Sequence, residues 1–462
     1  NTQFRVVGNG VDTTVTTGAN GEILVPNLVA GTYEVREVSV PSPYILDTTP
    51  KMVEIKPNTT ATVEFINDVA KGRVEVKKTS ENGDLIQGAV FEIRQNGNVM
   101  EKITTKENGV ATSSDLPLGT YEVVEVFVPS PLLVDSTPKS VTLSYADMTT
   151  PVVIGQVGFI NALAKAQIKV TKHGINGEPV EGAKFEIKNV DGKVVETLTT
   201  NAKGEATTSK LPLGTYTATE IYVPSPYILN STPQTITLEY ADMVTPIIFG
   251  TVEFINDVAK GRVRVLKMAQ TITGFNQVEN GIEFVVEDLP LADVTFNVYA
   301  REDVVKSDGS VEFKANDYVG TFTTNRGGIA IMRDLTLGKY YITEVKAPNG
   351  IYIEDVEYDF EFTYEDMNTP IVMSSLDVMN QRQLVKVNLT KVGEQRDGSY
   401  DVLSGVTFGL FNKEDIELSN GVMLPANTLI QTQVTNELGE LTFETLLPVG
   451  TFYVQELAVA DE

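Results

Sequence analysis

Residues 119–131 read GTYEVVEVFVPSP, and four variants of this phrase recur: GTYEVREVSVPSP from Gly31, GTYTATEIYVPSP from Gly214, GKYYITEVKAPNG from Gly338 and GTFYVQELAV from Gly450. A phrase that returns at intervals of a small domain marks a repeat protein. In each copy apolar and polar residues alternate, and the apolar face ends on a glutamate: Tyr33, Val35, Glu37; Tyr121, Val123, Glu125; Tyr216, Ala218, Glu220; Tyr340, Ile342, Glu344; Phe452, Val454, Glu456. Period two is the pattern of a strand with one buried face, so all five glutamates are expected to point into a core. A buried carboxyl is costly unless it is neutralised or hydrogen-bonded, and five in register call for one shared explanation.

Two further markers accompany the glutamates. The phrases TVEFIND, QVGFINA, TVEFIND and SLDVMNQ end alternating strands at Asn67, Asn161, Asn256 and Asn380, and each asparagine continues the apolar face of its strand. It lies 36 residues after Glu125, Glu220 and Glu344, and 30 after Glu37. The phrases RVEVKK, QIKVTK, RVRVLK and KVNLTK open units, and put Lys78, Lys172, Lys267 and Lys391 on the same face as two aliphatic residues. These lysines are therefore expected to point inward as well.

Between the markers lie short strand-like runs, among them GAVFEI, GAKFEI, DVTFNVY and GVTFGLF, separated by turn signals such as Asn96-Gly97, Asn108-Gly109 and Asp191-Gly192. No helical period interrupts them. The fold class is all-β: tandem Ig-like or prealbumin-like β-sandwich domains. The expected domains are 1–69, lacking its first strand; 73–163 and 167–258, complete; 262–382, complete with insertions; and 385–462, lacking its last strand. Links such as Asp68-Val69-Ala70-Lys71-Gly72 hold no flexible Ser/Gly tract, so the domains are expected to stack into a stiff rod. The Pro-rich pieces after each glutamate read as extended surface connections.

Composition closes off several function classes. With 62 acidic against 36 basic residues the net charge is −26, which disfavours nucleic acid and anionic lipid as main partners. The absence of cysteine excludes disulfides, zinc–thiolate sites and thiol nucleophiles. Small secreted domains usually need staples, and this chain must use something else. No apolar run is long enough to cross a bilayer and no signal peptide or initiator Met is present, so the chain reads as an excerpt from a longer protein.

The ordered set of lysine on a first strand, glutamate in a phrase like YxxxEvxaP and asparagine on a last strand resembles the B-type (CnaB) domains of Gram-positive collagen adhesins, also found in sortase-assembled pilins. GKYYITEVKAPNGIY around Glu344 is the nearest match, and the VPSPY variants around Glu37 and Glu220 are looser. The resemblance implies a self-formed isopeptide bond between lysine and asparagine, promoted by the glutamate. It assigns Lys78, Glu125, Asn161; Lys172, Glu220, Asn256; and Lys267, Glu344, Asn380 to three complete sites. The residue types suit that chemistry. Burial lowers the pKa of an ammonium and leaves an amine able to attack, while it pushes a carboxyl toward the protonated form that can polarise an amide and shuttle protons. The alternative is a buried lysine–glutamate ion pair beside a hydrogen-bonded asparagine.

The first unit has Glu37 and Asn67 without a lysine strand, and the last has Lys391 and Glu456 without an asparagine strand, so neither completes a bond from these residues. Truncation explains both, and strand donation by another chain is the sharper alternative. The fourth and fifth units are longer: Phe296 to Gly338 and Phe408 to Gly450 each span 42 residues, against 28 from Phe91 to Gly119, and a further insertion separates Lys267 from Phe296. Such insertions map to loops, either decorative or ligand-binding. His173 is expected to face outward, and Asn189-Val190-Asp191-Gly192 to be a tight turn rather than a calcium loop. No cofactor or metal is called for. The expected role is a stalk or fibre-shaft segment of a Gram-positive adhesin, extracellular and attached to the cell wall, without enzymatic turnover and without membrane insertion in this segment. Its partners would be neighbouring domains and, on the alternative reading of an adhesin, a host extracellular protein or glycan. A third reading is the shaft subunit of a sortase-assembled pilus.

Overall fold

The computed structural model describes residues 1–458, and among them every regular element is a β-strand. The last four residues of the fifth unit, 459–462, lie outside the described residues. Unit 2 shows the plan. One sheet runs in the order Lys139–Leu143, Gly119–Phe127, Val90–Gln95, Asn98–Thr104, and the other places Lys71–Ser80 between Val152–Asn161 and Val110–Thr112. Alternation makes the sandwich: Val74, Val76, Phe91, Ile93, Tyr121, Val123 and Phe159 fill the space between the sheets, and the same positions fill units 3 and 4. The Asn96-Gly97 signal is the two-residue turn of a hairpin, with both residues at positive φ, as such a turn requires.

The first and last strands of each complete unit pair in parallel. In unit 2 Lys71 lies beside Val152 and Ser80 beside Asn161, and units 3 and 4 repeat the register. Period-two patterning does not distinguish parallel from antiparallel neighbours, so this pairing is new information. It makes the chain enter each unit at one pole and leave at the other. In units 1 to 4 the glutamate strand is also pinned at its start by a tyrosine hydroxyl that donates to the carbonyl four residues earlier: Tyr33 to Val29 (2.9 Å), Tyr121 to Pro117 (2.8 Å), Tyr216 to Pro212 (2.7 Å) and Tyr340 to Thr336 (2.6 Å). Unit 5 carries Phe452 there, which has no hydroxyl to donate.

Three expectations need correction. TVEFIND in unit 1 is not a strand: Val63, Phe65 and Asn67 still turn inward, but the segment has no ladder partner among the described residues, and a strand is defined by its ladder. The Pro-rich pieces are more than surface connections. Val128, Leu132, Val223 and Tyr227 are buried, and the segments clasp the following unit. There the backbone N–H groups of Leu46, Val134 and Leu229 donate to the carbonyls of Met148, Met243 and Met367, each at 2.8 Å. In return the hydroxyls of Tyr145, Tyr240 and Tyr364 donate to the carbonyls of Tyr44, Leu132 and Tyr227.

The insertions of unit 4 are not loops. The strand Lys260–Val278 continues past Lys267, turns, and returns as Gly281–Pro290, with Met268 opposite Pro290 and Val278 opposite Gly281. Its far end lies against unit 5. A second hairpin, Val304–Val305 with Val311–Phe313, lies against unit 3, where the Ser307 hydroxyl donates to the Glu178 carboxylate; the Tyr227 hydroxyl donates to the same oxygen at 2.8 Å. Both insertions therefore serve junctions between units. In unit 5 the extra length forms a small hairpin of Ile416–Glu417 and Met423–Leu424.

Candidate functional site

Each complete unit brings its lysine, glutamate and asparagine to one buried place. Lys78 stands opposite Phe159 on the neighbouring parallel strand, with Asn161 two residues further along on the same face. Units 3 and 4 repeat this with Lys172 opposite Phe254 and Asn256 beyond it, and with Lys267 opposite Val378 and Asn380 beyond it. The glutamate comes from the facing sheet, where Glu125, Glu220 and Glu344 pair with Phe91, Phe185 and Phe296. All three lysines are 0% exposed, and the glutamates and asparagines at most 9%.

Two hydrogen bonds are alike across the three. The asparagine side-chain N–H donates to the glutamate carboxyl, from Asn161 to Glu125, from Asn256 to Glu220 (2.5 Å) and from Asn380 to Glu344 (2.7 Å). The lysine Nζ donates to the carbonyl of the next residue, from Lys78 to Thr79 (2.8 Å), from Lys172 to His173 (2.5 Å) and from Lys267 to Met268 (2.7 Å). Lys78 Nζ lies 4.0 Å from Glu125 Oε1. A tilted aromatic pair closes the site beside the lysine, Phe91 with Phe159 and Phe185 with Phe254, ring centroids 4.8 Å apart in each. Glu125 Oε1, Asn161 Oδ1, Glu220 Oε1 and Asn256 Oδ1 are buried without a hydrogen-bond partner.

Burial dominates the electrostatics. It lowers the lysines from the ordinary 10.5, to about 8 for Lys172 and for Lys267 and in the same direction for Lys78, against the opposing charge of the glutamate. It raises Glu125, Glu220 and Glu344 above the usual carboxyl range, with the hydrogen bond from asparagine pulling the other way in each. In unit 4 the nearby Glu354 charge raises Glu344 further. Both shifts move the pair away from the ion pair and toward a neutral amine and a carboxylic acid. Such an arrangement can carry out nucleophilic attack by the amine on the asparagine carbonyl carbon, with the carboxyl handing on protons.

The two incomplete sets differ. Glu37 is buried, accepts from Asn67 Nδ2 at 2.6 Å, and Asn67 also donates to the Ile45 carbonyl. Glu456 does not point into a core as expected. It forms an ion pair with Lys391 (2.9 Å) in which the side chains are 36% and 27% exposed. Among the described residues no strand pairs with the second edge of Leu384–Thr390, and the pair is partly exposed.

Two positioning features escaped the sequence reading. A backbone N–H ten residues after the glutamate donates to its carboxylate: Asp47 to Glu37 (2.7 Å), Asp135 to Glu125 (2.8 Å) and Asn230 to Glu220 (2.9 Å). The signal was the recurring Asp/Asn-Ser/Thr-Thr-Pro at Asp47, Asp135 and Asn230. The second is a glycine behind each lysine. The carbonyls of Gly109, Gly204 and Gly328 each accept the lysine backbone N–H at 2.7 Å. All three have φ near +70°, and a Cβ would come within 2.7, 2.3 and 2.4 Å of the lysine carbonyl oxygen, so only glycine fits. At the level of sequence Asn108-Gly109 signals only a turn.

Other candidates hold no chemistry. His173 Nδ1 lies 3.4 Å from Glu253 Oε1 at the surface. Asn189 Oδ1 accepts the N–H groups of Asp191 and Lys193 within its turn. Among the described residues no group of three His, Cys, Asp or Glu side chains is placed to hold a metal, and no helix is long and apolar enough to cross a membrane.

The family model described as SpaA: Prealbumin-like fold domain matches residues 1–69, 72–156, 166–248 and 285–375. Comparison with curated proteins finds no match. Among solved structures the Bacillus anthracis TIE protein is similar over 82% of this chain, at 22% identity and a TM-score of 0.48, and the chain spans 66% of that protein's length. A Streptococcal ancillary pilin is similar over 68% of this chain and 99% of its own, at 16% identity and a TM-score of 0.23. BcpA, the major pilin subunit of Bacillus cereus, is similar over 68% of this chain and all of its own, at 15% identity and a TM-score of 0.26.

Proposed function

Because this chain belongs to the SpaA prealbumin-like fold domain family, we propose that it is a shaft or stalk segment of a Gram-positive surface structure whose units are stapled by self-formed lysine–asparagine amides. The proposed units are 1–69, 73–163, 167–258, 262–382 and 385–462. The observation that carries the reading is the threefold repetition of a fully buried lysine beside a buried glutamate–asparagine pair, on the first and last strands of a unit.

In the proposed reaction the neutral amine of Lys78, Lys172 or Lys267 attacks Cγ of Asn161, Asn256 or Asn380. The carboxyl of Glu125, Glu220 or Glu344 takes a proton from the attacking nitrogen and gives one to the departing amide nitrogen. The C–N bond to that nitrogen breaks, ammonia leaves, and an amide joins the strands. The glutamate ends as it began. Each set acts once on its own chain, so the protein is not an enzyme in the sense of turnover.

The parallel pairing gives the bond its use. Tension enters unit 2 at Lys71 and leaves at Asn161, and a bond from Lys78 to Asn161 passes it on without loading residues 79–160. On the chain-entropy account of cross-links, closing a loop of this size is worth about 4 to 5 kcal/mol. Both unit 4 insertions lie against neighbouring units, which favours the stalk reading, while the competing reading, host-ligand binding through the longer fourth and fifth units, keeps the unit 5 hairpin of Ile416–Glu417 and Met423–Leu424. The test is the intact mass of the purified chain. A deficit of three ammonia masses that falls by one with each of Glu125→Ala, Glu220→Ala and Glu344→Ala supports the reading, and a mass equal to that of the linear sequence overturns it.

A further inference from the structure

The strand Lys260–Val278 serves two cores. Its first part carries Val263 and Val265 in the core of unit 4, whereas Ile272, together with Ile282 on the returning strand, belongs to the buried core of unit 5. Ile272 and Ile282 are 2% and 7% exposed, packed in one cluster with Phe408, Leu410 and Ile430 of unit 5. Phe275, Phe284 and Val286 of the same hairpin pack at the edge of that cluster. At roughly 3.3 Å per residue a strand of this length reaches about 60 Å, well beyond the ten-residue first strands of units 2 and 3.

The contact is built into the backbone as well. Gly281 pairs with Gln431, joining the hairpin to the sheet of unit 5, and the N–H of Thr432 donates to the carbonyl of Asn280 at 3.0 Å. Gly281 has φ +139°, and a Cβ there would stand 2.2 Å from the carbonyl oxygen of Ile430, so the approach is open only to glycine. The link between the units adds a further tie: the guanidinium of Arg382 donates to the carbonyl of Leu447 of unit 5 at 3.1 Å.

We propose that this hairpin is an interdomain brace, an interaction surface of unit 4 whose partner is the apolar face of unit 5, and that unit 5 holds its fold only with the hairpin docked. Unit 5 is where such help is needed. It has a phenylalanine in place of the pinning tyrosine, and its Lys391–Glu456 pair is partly exposed where the matching groups of units 2 to 4 are buried. The brace also springs from the strand that carries Lys267. On the cross-link reading, which this clause alone rests on, tension leaves that strand at Lys267 for Asn380, so the hairpin is bypassed and stays docked under load.

The test uses the full chain with Ile272→Ala or, separately, Gly281→Val, followed by hydrogen exchange read by mass spectrometry alongside intact mass. The expected result is exchange faster by about 30-fold or more in peptides covering Thr407–Asn412 and Leu429–Val434, as a buried Ile-to-Ala change implies. Units 2 and 3 exchange as before, and the ammonia deficit stays unchanged. Unchanged exchange in unit 5 for both variants overturns the brace. Because intact mass reports the cross-links independently, loss of the brace and loss of the cross-link reading are told apart.

Discussion

Glu125→Ala in the full chain, stretched between its ends in a single-molecule force experiment, tests the load path of unit 2. On the proposed cross-link, the route in the parent chain runs along Lys71 to Lys78, across to Asn161 and out, so residues 79–160 should not be drawn out. On that reading the amine of the variant lacks its proton acceptor and the bond should not form. The load then falls on the hydrogen bonds between the parallel strands Lys71–Ser80 and Val152–Asn161, and when they shear the whole unit opens. The 91 residues from Lys71 to Asn161 extend to about 315 Å at roughly 3.5 Å per residue. The folded span of a ten-residue strand, about 30 Å, is to be subtracted, leaving a new step of about 285 Å. The parent should show no step of that size from units 2, 3 or 4. A 285 Å step of equal frequency in parent and variant refutes the reasoning.

Three further outcomes follow from the same geometry. In Asn256→Ala the Lys172 amine stays free, with its pKa lowered by burial to about 8 from 10.5. The unfolded chain then holds a proton between about pH 8 and 10.5 that the folded unit has lost, so unit 3 of this variant gains stability as pH rises through that window, by at most about 1.4 kcal/mol per pH unit. Urea midpoints read by proteolysis at pH 8 and pH 10 check the sign, and a midpoint that falls with pH contradicts it. Phe159→Ala opens the aromatic wall beside Lys78 and should cost unit 2 about 3 to 5 kcal/mol before cross-linking. It should also slow bond formation by admitting water to the amine, visible as a delayed mass loss after refolding; loss at the parent rate would count against a role for that wall. Tyr240→Phe removes only the hydroxyl that donates to Leu132 across the junction of units 2 and 3. Spin labels on introduced cysteines, which are unique because the chain has none, should report a broader distance distribution between those units with intact mass unchanged. An unaltered distribution would remove the hydroxyl from the clasp.

The strands and the inward residues were legible because period two states which side chains share a face, and a charged residue at the end of an apolar face is conspicuous. Lys78, Glu125 and Asn161 were found this way. Pairing direction was not legible, since alternation looks the same in parallel and antiparallel strands. The fate of Val63–Asn67 was not either, because pattern reports a face and says nothing of whether a ladder partner exists. Burial at Glu456 failed for a related reason: the phrase is present, but cover depends on strands outside the motif. The hairpin 268–290 carries Ile272, Phe275, Ile282 and Phe284 in plain view, yet an insertion by its length alone suggests a loop. Those apolar residues were the signal, and their partner lay in the next unit. Gly109 and its counterparts illustrate a third limit, because one glycine serves both as a turn residue and as the only residue able to back the lysine.

Tandem mass spectrometry of a protease digest tests the central claim most directly. The account predicts three branched peptides, joining Lys78 to Asn161, Lys172 to Asn256 and Lys267 to Asn380, each lighter than its two linear parts by one ammonia, with Lys391 recovered unmodified. Recovery of linear peptides with free Lys78, Lys172 and Lys267 and intact asparagines would contradict it and leave three buried polar clusters in place of three covalent staples.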